Sequence, residues 1–115
     1  NYIMEIEFKV WNKVMQEMFY PDWDELAVRA KLPEMVLLQY TGIKTKHGNE
    51  KVYLGDVIHM YNHDAGKHYE GVVEFEEGSF ILRLPEGTWE YIHQEYVTGI
   101  EGNIYPNPEL LQLAK

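Results

Sequence analysis

Three histidines and one aspartate lie close together in the sequence and carry side chains that bind divalent metal ions. They are His59, His63, Asp64 and His68, and imidazole and carboxylate groups are ligands for zinc and related ions. Their spacing matches no zinc motif. The surrounding pattern predicts a strand, a turn and a strand rather than a helix, so His59 and His63 are not expected to converge. His59 and His68 can still face each other across that hairpin. We favour solvated loop histidines, and we predict no metal ion and no cofactor.

Other reacting groups are absent or poorly placed for catalysis. The sequence has no cysteine, which removes disulfides, thiolate metal sites and cysteine nucleophiles. Its one serine, Ser79, falls at a predicted hairpin turn, and Gly66-Lys67 lacks the earlier glycine of a phosphate-binding loop. Glu74 and Glu76 alternate on the predicted outward face of a strand, where carboxylates are usually solvated. The sequence therefore predicts that the protein is not an enzyme.

Strands are the elements that would position most of these side chains. Met4, Ile6, Phe8 and Val10 alternate with charged residues, which is the pattern of a half-buried strand. Further strands are predicted at 14–20, 35–41, 51–53, 57–61, 70–76, 79–84, 89–92 and 96–100. The pair Glu77-Gly78 has the composition of a two-residue hairpin loop.

Two short helices complete the predicted fold. The first begins after Asp22 as N-cap and ends near Leu32, and the second begins at Asn107 with Pro108 in its first turn. Many short strands with one or two helices indicate a mainly β fold, either a small twisted antiparallel sheet or an SH3-like barrel. A length of 115 residues fits a single domain, 1–115.

The charge of the chain is strongly negative and unevenly distributed. The formal charge is −9, and residues 59–115 contribute −7 of it, from 3 basic and 10 acidic side chains. Such a surface repels phosphate backbones, so nucleic acid is an unlikely partner, with Lys44, Lys46 and Lys51 as the local exception. The longest aliphatic run, 35–38, is far too short to cross a bilayer, and a cytoplasmic location is expected.

Aromatic residues are unusually frequent for so small a domain. The sequence has three tryptophans and nine tyrosines, and both residue types are favoured anchors in protein interfaces. Packing inside the sheet accounts for most of them. The remainder favour a surface that is both aromatic and acidic and that binds another protein.

Three stretches of the sequence share one recognisable pattern. The first runs from Ile6 to Lys13, the second combines Gln39-Tyr40-Thr41-Gly42 with Tyr53-Leu54-Gly55-Asp56, and the third runs from Gly102 to Leu111. In this order the three stretches resemble the YopX family, small proteins encoded by phages and prophages. Thr45, Leu54 and Pro106 depart from the family pattern. The matching motif residues are Trp11, Gln39, Tyr40, Thr41, Gly42, Tyr53, Gly55, Asp56, Gly102, Asn103, Tyr105, Asn107 and Pro108.

The resemblance implies a mainly β, phage-linked domain without an established activity. The motif residues themselves have structural roles by residue type: Gly42 and Gly55 as turn glycines, Asp56 as an acceptor within its own turn, and Asn107-Pro108 as a helix start. We predict a non-enzymatic accessory protein in the bacterial host cytoplasm that binds an unknown host or phage protein.

Self-association is the second part of this prediction. The apolar residues of the last predicted helix would form an exposed hydrophobic patch near the end of the sequence, through which two copies could associate. These residues are Leu110, Leu111 and Leu113. The alternative is a small β-barrel that binds nucleic acid through its lysine-rich turn.

Overall fold

The computed structural model describes residues 6–113, with side chains described as far as residue 111. Within these residues the chain forms nine strands, two α-helices and one 3-10 turn. The strands are β1 (Phe8–Asn12), β2 (Glu17–Phe19), β3 (Met35–Lys44), β4 (Lys51–Tyr53), β5 (Asp56–Asn62), β6 (Lys67–Glu76), β7 (Ser79–Arg83), β8 (Trp89–Tyr91) and β9 (Val97–Asn103). The helices are α1 (Trp23–Arg29) and α2 (Leu110–Leu113), and the 3-10 turn spans Gln94–Tyr96. No helix in this part of the chain is long and apolar enough to span a membrane.

The strands divide between two antiparallel sheets. The first sheet has the order β2-β1-β3-β4 and the second has the order β8-β7-β6-β5-β9. The mainly β, antiparallel prediction is confirmed, and so is the Glu77-Gly78 hairpin between β6 and β7. The predicted opening strand starts at Met4, which lies outside the described residues, whereas β1 begins at Phe8.

The main core lies on one face of the second sheet, and a smaller cluster lies on the other. The main cluster consists of Val52, Ile58, Met60, Val73, Leu82, Leu84 and Val97. The smaller cluster contains Val57, Val72 and Leu110. Neighbouring residues of a strand point to opposite faces, so Val57 and Ile58 serve different clusters. The centre of the second sheet is therefore covered on both faces.

Gly42 lies inside β3, and the prediction that it ends a strand is wrong. Its φ is 86°, and the pairing of β3 with β4 shifts register between Tyr40–Tyr53 and Lys44–Lys51. A glycine with positive φ suits an irregularity within a strand as well as it suits a turn. The residue type alone cannot separate these two possibilities, so the strand continues where the pattern indicates a stop.

Helix α2 begins at Leu110, later than predicted, and it buries a residue that was expected on the surface. The Leu110 N–H donates to the Asn107 carbonyl at 3.0 Å, so Asn107 and Pro108 form the turn that precedes the helix. Leu110 is only 9% exposed, and a Cβ on Gly102 would lie 2.9 Å from its Cδ1. Leu110 therefore cannot belong to an exposed patch. Leu111 is exposed, and the side chain of Leu113 lies outside the described side chains.

Candidate functional site

Motif residues from distant parts of the sequence meet between the β4–β5 turn and the end of β9, a place we call the motif junction. Asp56 Oδ2 accepts the Tyr53 N–H at 2.7 Å, and Asp56 Oδ1 accepts from Asn103 Nδ2 at 3.0 Å. Asn103 Nδ2 also donates to the Leu54 carbonyl at 3.0 Å, and Asn103 Oδ1 accepts the Tyr105 N–H at 3.0 Å. The buried side chains of Asp56 and Asn103 thus hold the β4–β5 turn against the turn that follows β9.

Gly55 allows the two turns of the motif junction to approach so closely. Its φ is 86°, and a Cβ at this position would lie 3.1 Å from both Asn103 Nδ2 and Tyr105 Cε2. Its N–H donates to the Val73 carbonyl at 2.9 Å, and its carbonyl accepts the Ile104 N–H at 3.0 Å. Glycine is therefore required here both for its backbone conformation and for the space it leaves.

The Asp56 carboxyl group is buried and matched by its neighbours. Its exposure is 2%, and this burial raises its pKa above the usual value, against the opposing effects of Tyr53, Asn103 and Lys9. Lys9 Nζ lies 3.8 Å from Asp56 Oδ1 and 4.5 Å from the centroid of the Tyr53 ring. Among the described residues, no buried side-chain N or O atom lacks a hydrogen-bond partner. These contacts assign Asp56 a structural role.

A cleft of about 510 Å³ opens beside the motif junction, where the first sheet meets the second. It is lined by Lys9, Tyr20, Asn49, Glu50, Lys51, Tyr53, Asp56, Ile100, Gly102 and Asn103. At its rim Glu7 Oε1 lies 2.5 Å from Lys51 Nζ, and Tyr53 Oη donates to Glu7 Oε2 at 3.2 Å. The hydrogen bond from Lys51 lowers the pKa of Glu7, while burial and Glu7 raise the pKa of Tyr53. Both lysines of this cleft thus contact a carboxylate, Lys51 that of Glu7 and Lys9 that of Asp56.

The remaining motif residues of the first two stretches fix strands β1, β3 and β4. Trp11 is buried opposite Val36. The Gln39 carbonyl accepts the Leu54 N–H at 2.9 Å. The centroids of the Tyr40 and Tyr53 rings lie 5.6 Å apart, and the Thr41 hydroxyl donates to the Val52 carbonyl at 2.8 Å. These contacts bring β3 onto β4 and carry Tyr53 to the motif junction.

His59 and His68 face each other across the β5–β6 hairpin, as the sequence suggests. Their rings are stacked with centroids 5.3 Å apart, and His59 Nδ1 lies 3.3 Å from His68 Nε2. Glu101 Oε1, from β9, lies 2.6 Å from His59 Nε2, and Glu70 Oε2 lies 3.8 Å from His59 Nδ1. The pair is therefore held among carboxylates on the surface of the second sheet.

His63 and Asp64 lie apart from this pair. Lys46 Nζ donates to His63 Nε2 at 3.3 Å, and Tyr96 Oη donates to Asp64 Oδ2 at 3.2 Å. Residues 6–113 contain no group of three or more His, Asp or Glu side chains arranged to hold a metal ion. The four candidate ligands thus do not converge.

Helix α1 presents an apolar surface that no sequence motif indicates. Asp22 caps it, since its carboxylate accepts the Glu25 N–H at 2.8 Å and its own N–H donates to Glu25 at 3.4 Å. None of the residues Trp23–Arg29, all of them described, is buried. Trp23 is 64% exposed. The helix borders a groove of about 230 Å³, here called the α1 groove, lined by Ile6, Glu7, Phe8, Tyr20, Pro21, Asp22, Trp23 and Leu26.

A second exposed aromatic group lies at the edge of the second sheet. The rings of Trp89 and Tyr91 meet edge to face, with centroids 4.9 Å apart. They border a cleft of about 260 Å³, here called the β7–β8 cleft, lined by Glu76, Glu77, Ser79, Ile81, Trp89 and Tyr91. The excess of aromatic residues was the sequence signal for both surfaces. Which aromatics are exposed depends on strand pairing, which the sequence pattern does not show.

The two sheets and the motif junction define a small β protein whose motif residues hold distant turns together. The model of the YopX protein family matches residues 5–112, and the chain belongs to this family. The resemblance noted in the sequence is thereby confirmed. No curated protein is significantly similar to the chain.

Solved structures of other proteins share this fold. Protein EF1440 from Enterococcus faecalis is 18% identical, with a TM-score of 0.61 over 95% of this chain and 99% of that one. YopX from Bacillus subtilis is 19% identical, with a TM-score of 0.58 over 91% of this chain and 97% of that one. At these identities the similarity shows the fold alone.

Proposed function

We propose that the protein is a non-enzymatic protein-interaction module that self-associates through the α1 groove. The main observation in support is that helix α1, Trp23–Arg29, has no buried residue and that the Trp23 side chain is 64% exposed. A seven-residue helix is too short to be stable in water on its own, and its stability normally comes from packing of its apolar face. Contact with a second protein surface would supply that packing.

The charge distribution favours a second copy of the chain as the partner that binds the α1 groove. Residues 6–34 carry 4 basic and 6 acidic side chains, so this part of the chain is nearly balanced. Residues 59–115 carry most of the negative charge, and two copies meeting there would repel each other. Contact through the α1 groove buries apolar surface and keeps the acidic halves apart.

The absence of enzymatic activity is part of this proposal. It is supported by the way in which the charged groups at the cleft beside the motif junction bind one another, Lys51 with Glu7 and Lys9 with Asp56. A phage or prophage accessory role in the bacterial cytoplasm is the biological setting that the family resemblance implies. The partner that such a module engages would be a host or phage protein.

Nucleic-acid binding is the alternative, and the lysine contacts do not favour it. Lys51 binds Glu7, and Lys46 binds His63, so two of the three candidate phosphate contacts are engaged elsewhere. A bound nucleic acid would give an affinity that falls steeply with salt concentration. The absence of any shift of labelled DNA or RNA at low ionic strength would remove this alternative.

The oligomeric state of the purified protein tests self-association. We expect light scattering over a series of concentrations to give a mass above the monomer mass of 13.6 kDa. We expect Trp23→Ala to return the mass to that of the monomer, because truncating a central aromatic anchor removes much of an interface's energy. Trp89→Ala is the matched control and should still associate. A wild-type protein that is monomeric at every concentration would overturn the claim.

Capture of partners tests the wider role. A tagged protein would be used to recover partners from lysate of the bacterial host, with and without nuclease, and from phage-infected cells. Partners that survive nuclease and that depend on exposed aromatic residues would support the interaction module. Recovery of material that disappears with nuclease would support the nucleic-acid alternative instead.

A further inference from the structure

We propose that the β7–β8 cleft binds a lysine or arginine side chain presented by a basic segment of a partner protein. This inference rests on the proposed function as an interaction module, but it uses a surface other than the α1 groove. It therefore adds a partner chemistry that self-association does not need. The argument stands on the exposed aromatic pair, the carboxylates beside it and the charge of the surrounding chain.

The aromatic pair supplies faces on which a cation can rest. Trp89 lies opposite Arg83 and Tyr91 lies opposite Ile81 in the β7–β8 ladder, so both rings are on the same side of the sheet. Trp89 is 47% exposed and Tyr91 is 58% exposed, while Ile81 beneath them is buried. Ammonium and guanidinium groups are attracted to the faces of indole and phenol rings. The apolar floor suits the methylene stem of such a side chain.

Two carboxylates complete the cleft. Glu76 ends β6 and Glu77 begins the hairpin, where Glu77 has φ 49° and Gly78 has φ 83°. Both line the same cleft as Trp89 and Tyr91. Within the described part of the chain, no hydrogen bond or ion pair engages the Glu77 carboxylate, which leaves it available to an incoming cation.

The protein already holds one guanidinium group next to this cleft. Arg83 Nε donates to Glu74 at 3.2 Å, its Nη2 contacts Glu76, and its Nη1 donates to the Gly87 carbonyl at 2.8 Å. The same sheet face thus has the carboxylate spacing that a guanidinium needs. Because Glu76 is shared with Arg83, Glu77 and the two rings would supply most of the new contact.

The negative charge of this half of the chain favours a basic partner and disfavours an acidic one. From His68 to Ala114 the sequence has nine Asp or Glu residues and a single Lys or Arg, which is Arg83. A field of one sign attracts and orients a partner of opposite charge and repels one of like charge. A second copy of this acidic surface is therefore a poor occupant. The volume of about 260 Å³ is below the usual range for cofactor pockets.

Fluorescence anisotropy with a labelled peptide tests this proposal. The probe is a short peptide of alternating arginine and glycine with blocked termini, and the matched peptide has glutamate in place of arginine. We expect saturable binding of the arginine peptide that weakens as salt is added, and no binding of the glutamate peptide. A lysine version of the probe measures the preference between the two cations.

Variants locate the binding site. We expect Trp89→Ala to weaken binding about tenfold, as for an aromatic anchor, and Glu77→Gln to weaken it severalfold. Trp89→Phe keeps a ring and should retain part of the affinity, which separates loss of contact from loss of folding. Glu109→Gln removes an equal charge from an exposed position elsewhere and should leave binding unchanged. Equal losses for Glu77→Gln and Glu109→Gln, or no saturable binding at all, would overturn the proposal.

The two proposals fail separately. Trp23→Ala is expected to abolish self-association and to leave peptide binding at the wild-type level. A monomeric wild-type protein that still binds the arginine peptide would overturn self-association and support the β7–β8 cleft. A self-associating protein that does not bind the peptide would do the reverse.

Discussion

The second sheet and helix α1 differ in how far their apolar residues are buried. In the second sheet Val57 and Ile58 are fully buried on opposite faces, whereas α1, which accompanies the first sheet, buries none of Trp23–Arg29. The negative charge also collects in the half of the chain that forms most of the second sheet. The second sheet therefore packs apolar residues on both of its faces, whereas α1 leaves its apolar residues at the surface. The motif junction lies where the two regions meet.

The largest loss of stability is expected from removing the Asp56 carboxylate, which lies at the motif junction between the two regions. In Asp56→Ala the Tyr53 N–H and Asn103 Nδ2 lose their acceptor, and Lys9 loses its buried counter-charge. We expect a loss of about 3 kcal/mol in the free energy of unfolding, because buried polar groups remain unsatisfied. Urea denaturation followed by circular dichroism measures it. Glu109→Ala, at an exposed position, is the control, and an equal effect of both variants would contradict the structural role.

A second large effect is expected at a glycine within the second sheet. A Cβ at Gly71 would lie 2.3 Å from the Arg83 carbonyl oxygen, which is backbone and cannot move aside alone. We expect Gly71→Ala to cost about 2 kcal/mol, a typical cost of overpacking. Gly99→Ala is the matched control, because Gly99 is also in a strand and a methyl group there would have no atom within 4 Å. Similar unfolding midpoints for the two variants would show that the sheets tolerate this change.

Sequence patterns predicted the helices, strands and turns better than they predicted which side chains are exposed. Alternation around Phe8 and Val10, the Asp22 cap and the Glu77-Gly78 turn are local signals, and each corresponds to an observed element. Gly42 was misassigned because a positive φ occurs both in turns and within irregular strands. Local signals fix the type of an element but not how that element pairs with distant parts of the chain.

The candidate sites depended on contacts between distant residues. Trp11 is 5% exposed and Trp23 is 64% exposed, although both stand among apolar and charged neighbours in the sequence. The difference arises because Trp11 is covered once β1 pairs with β3. In the same way, the contact of His59 with His68 across the hairpin was predictable, but Glu101 reaches His59 from β9. Leu110 was expected at the surface because the sequence did not show that α2 packs on Val57.

A smaller effect is expected from uncapping α1. Asp22→Ala removes the acceptor for the Glu25 N–H and breaks the reciprocal capping contact. Loss of such a cap costs about 1 kcal/mol of helix stability. Since α1 buries no residue, we expect this loss as faster amide hydrogen exchange in Trp23–Arg29, with little change in the urea midpoint of the whole protein. Faster exchange in β5 as well would indicate that α1 supports the second sheet.

The smallest effect distinguishes Glu7, which precedes β1, from Asp56, which begins β5, by how the contribution of each carboxyl group to stability depends on pH. The Lys51 hydrogen bond lowers the pKa of Glu7 below its usual 4.5, so this group stabilises the fold above that pH and the contribution is lost as the pH falls through the lowered pKa. Burial raises the pKa of Asp56 above its usual 3.8. The part of its contribution that comes from the raised pKa is therefore largest below pH 3.8 and is lost as the pH rises through that raised pKa, whereas the hydrogen bonds to Tyr53 and Asn103 are a separate contribution.

The Glu7 side chain is 38% exposed, so Glu7→Gln should cost only about 0.5 kcal/mol at neutral pH and nothing once Glu7 is protonated. Urea midpoints of wild type and Glu7→Gln across the acid range measure this difference. Carboxyl NMR titration of the wild type should show Glu7 and Asp56 displaced from their usual pKa values in opposite directions. A raised pKa for both groups would mean that burial, rather than the Lys51 contact, governs Glu7 as it governs Asp56.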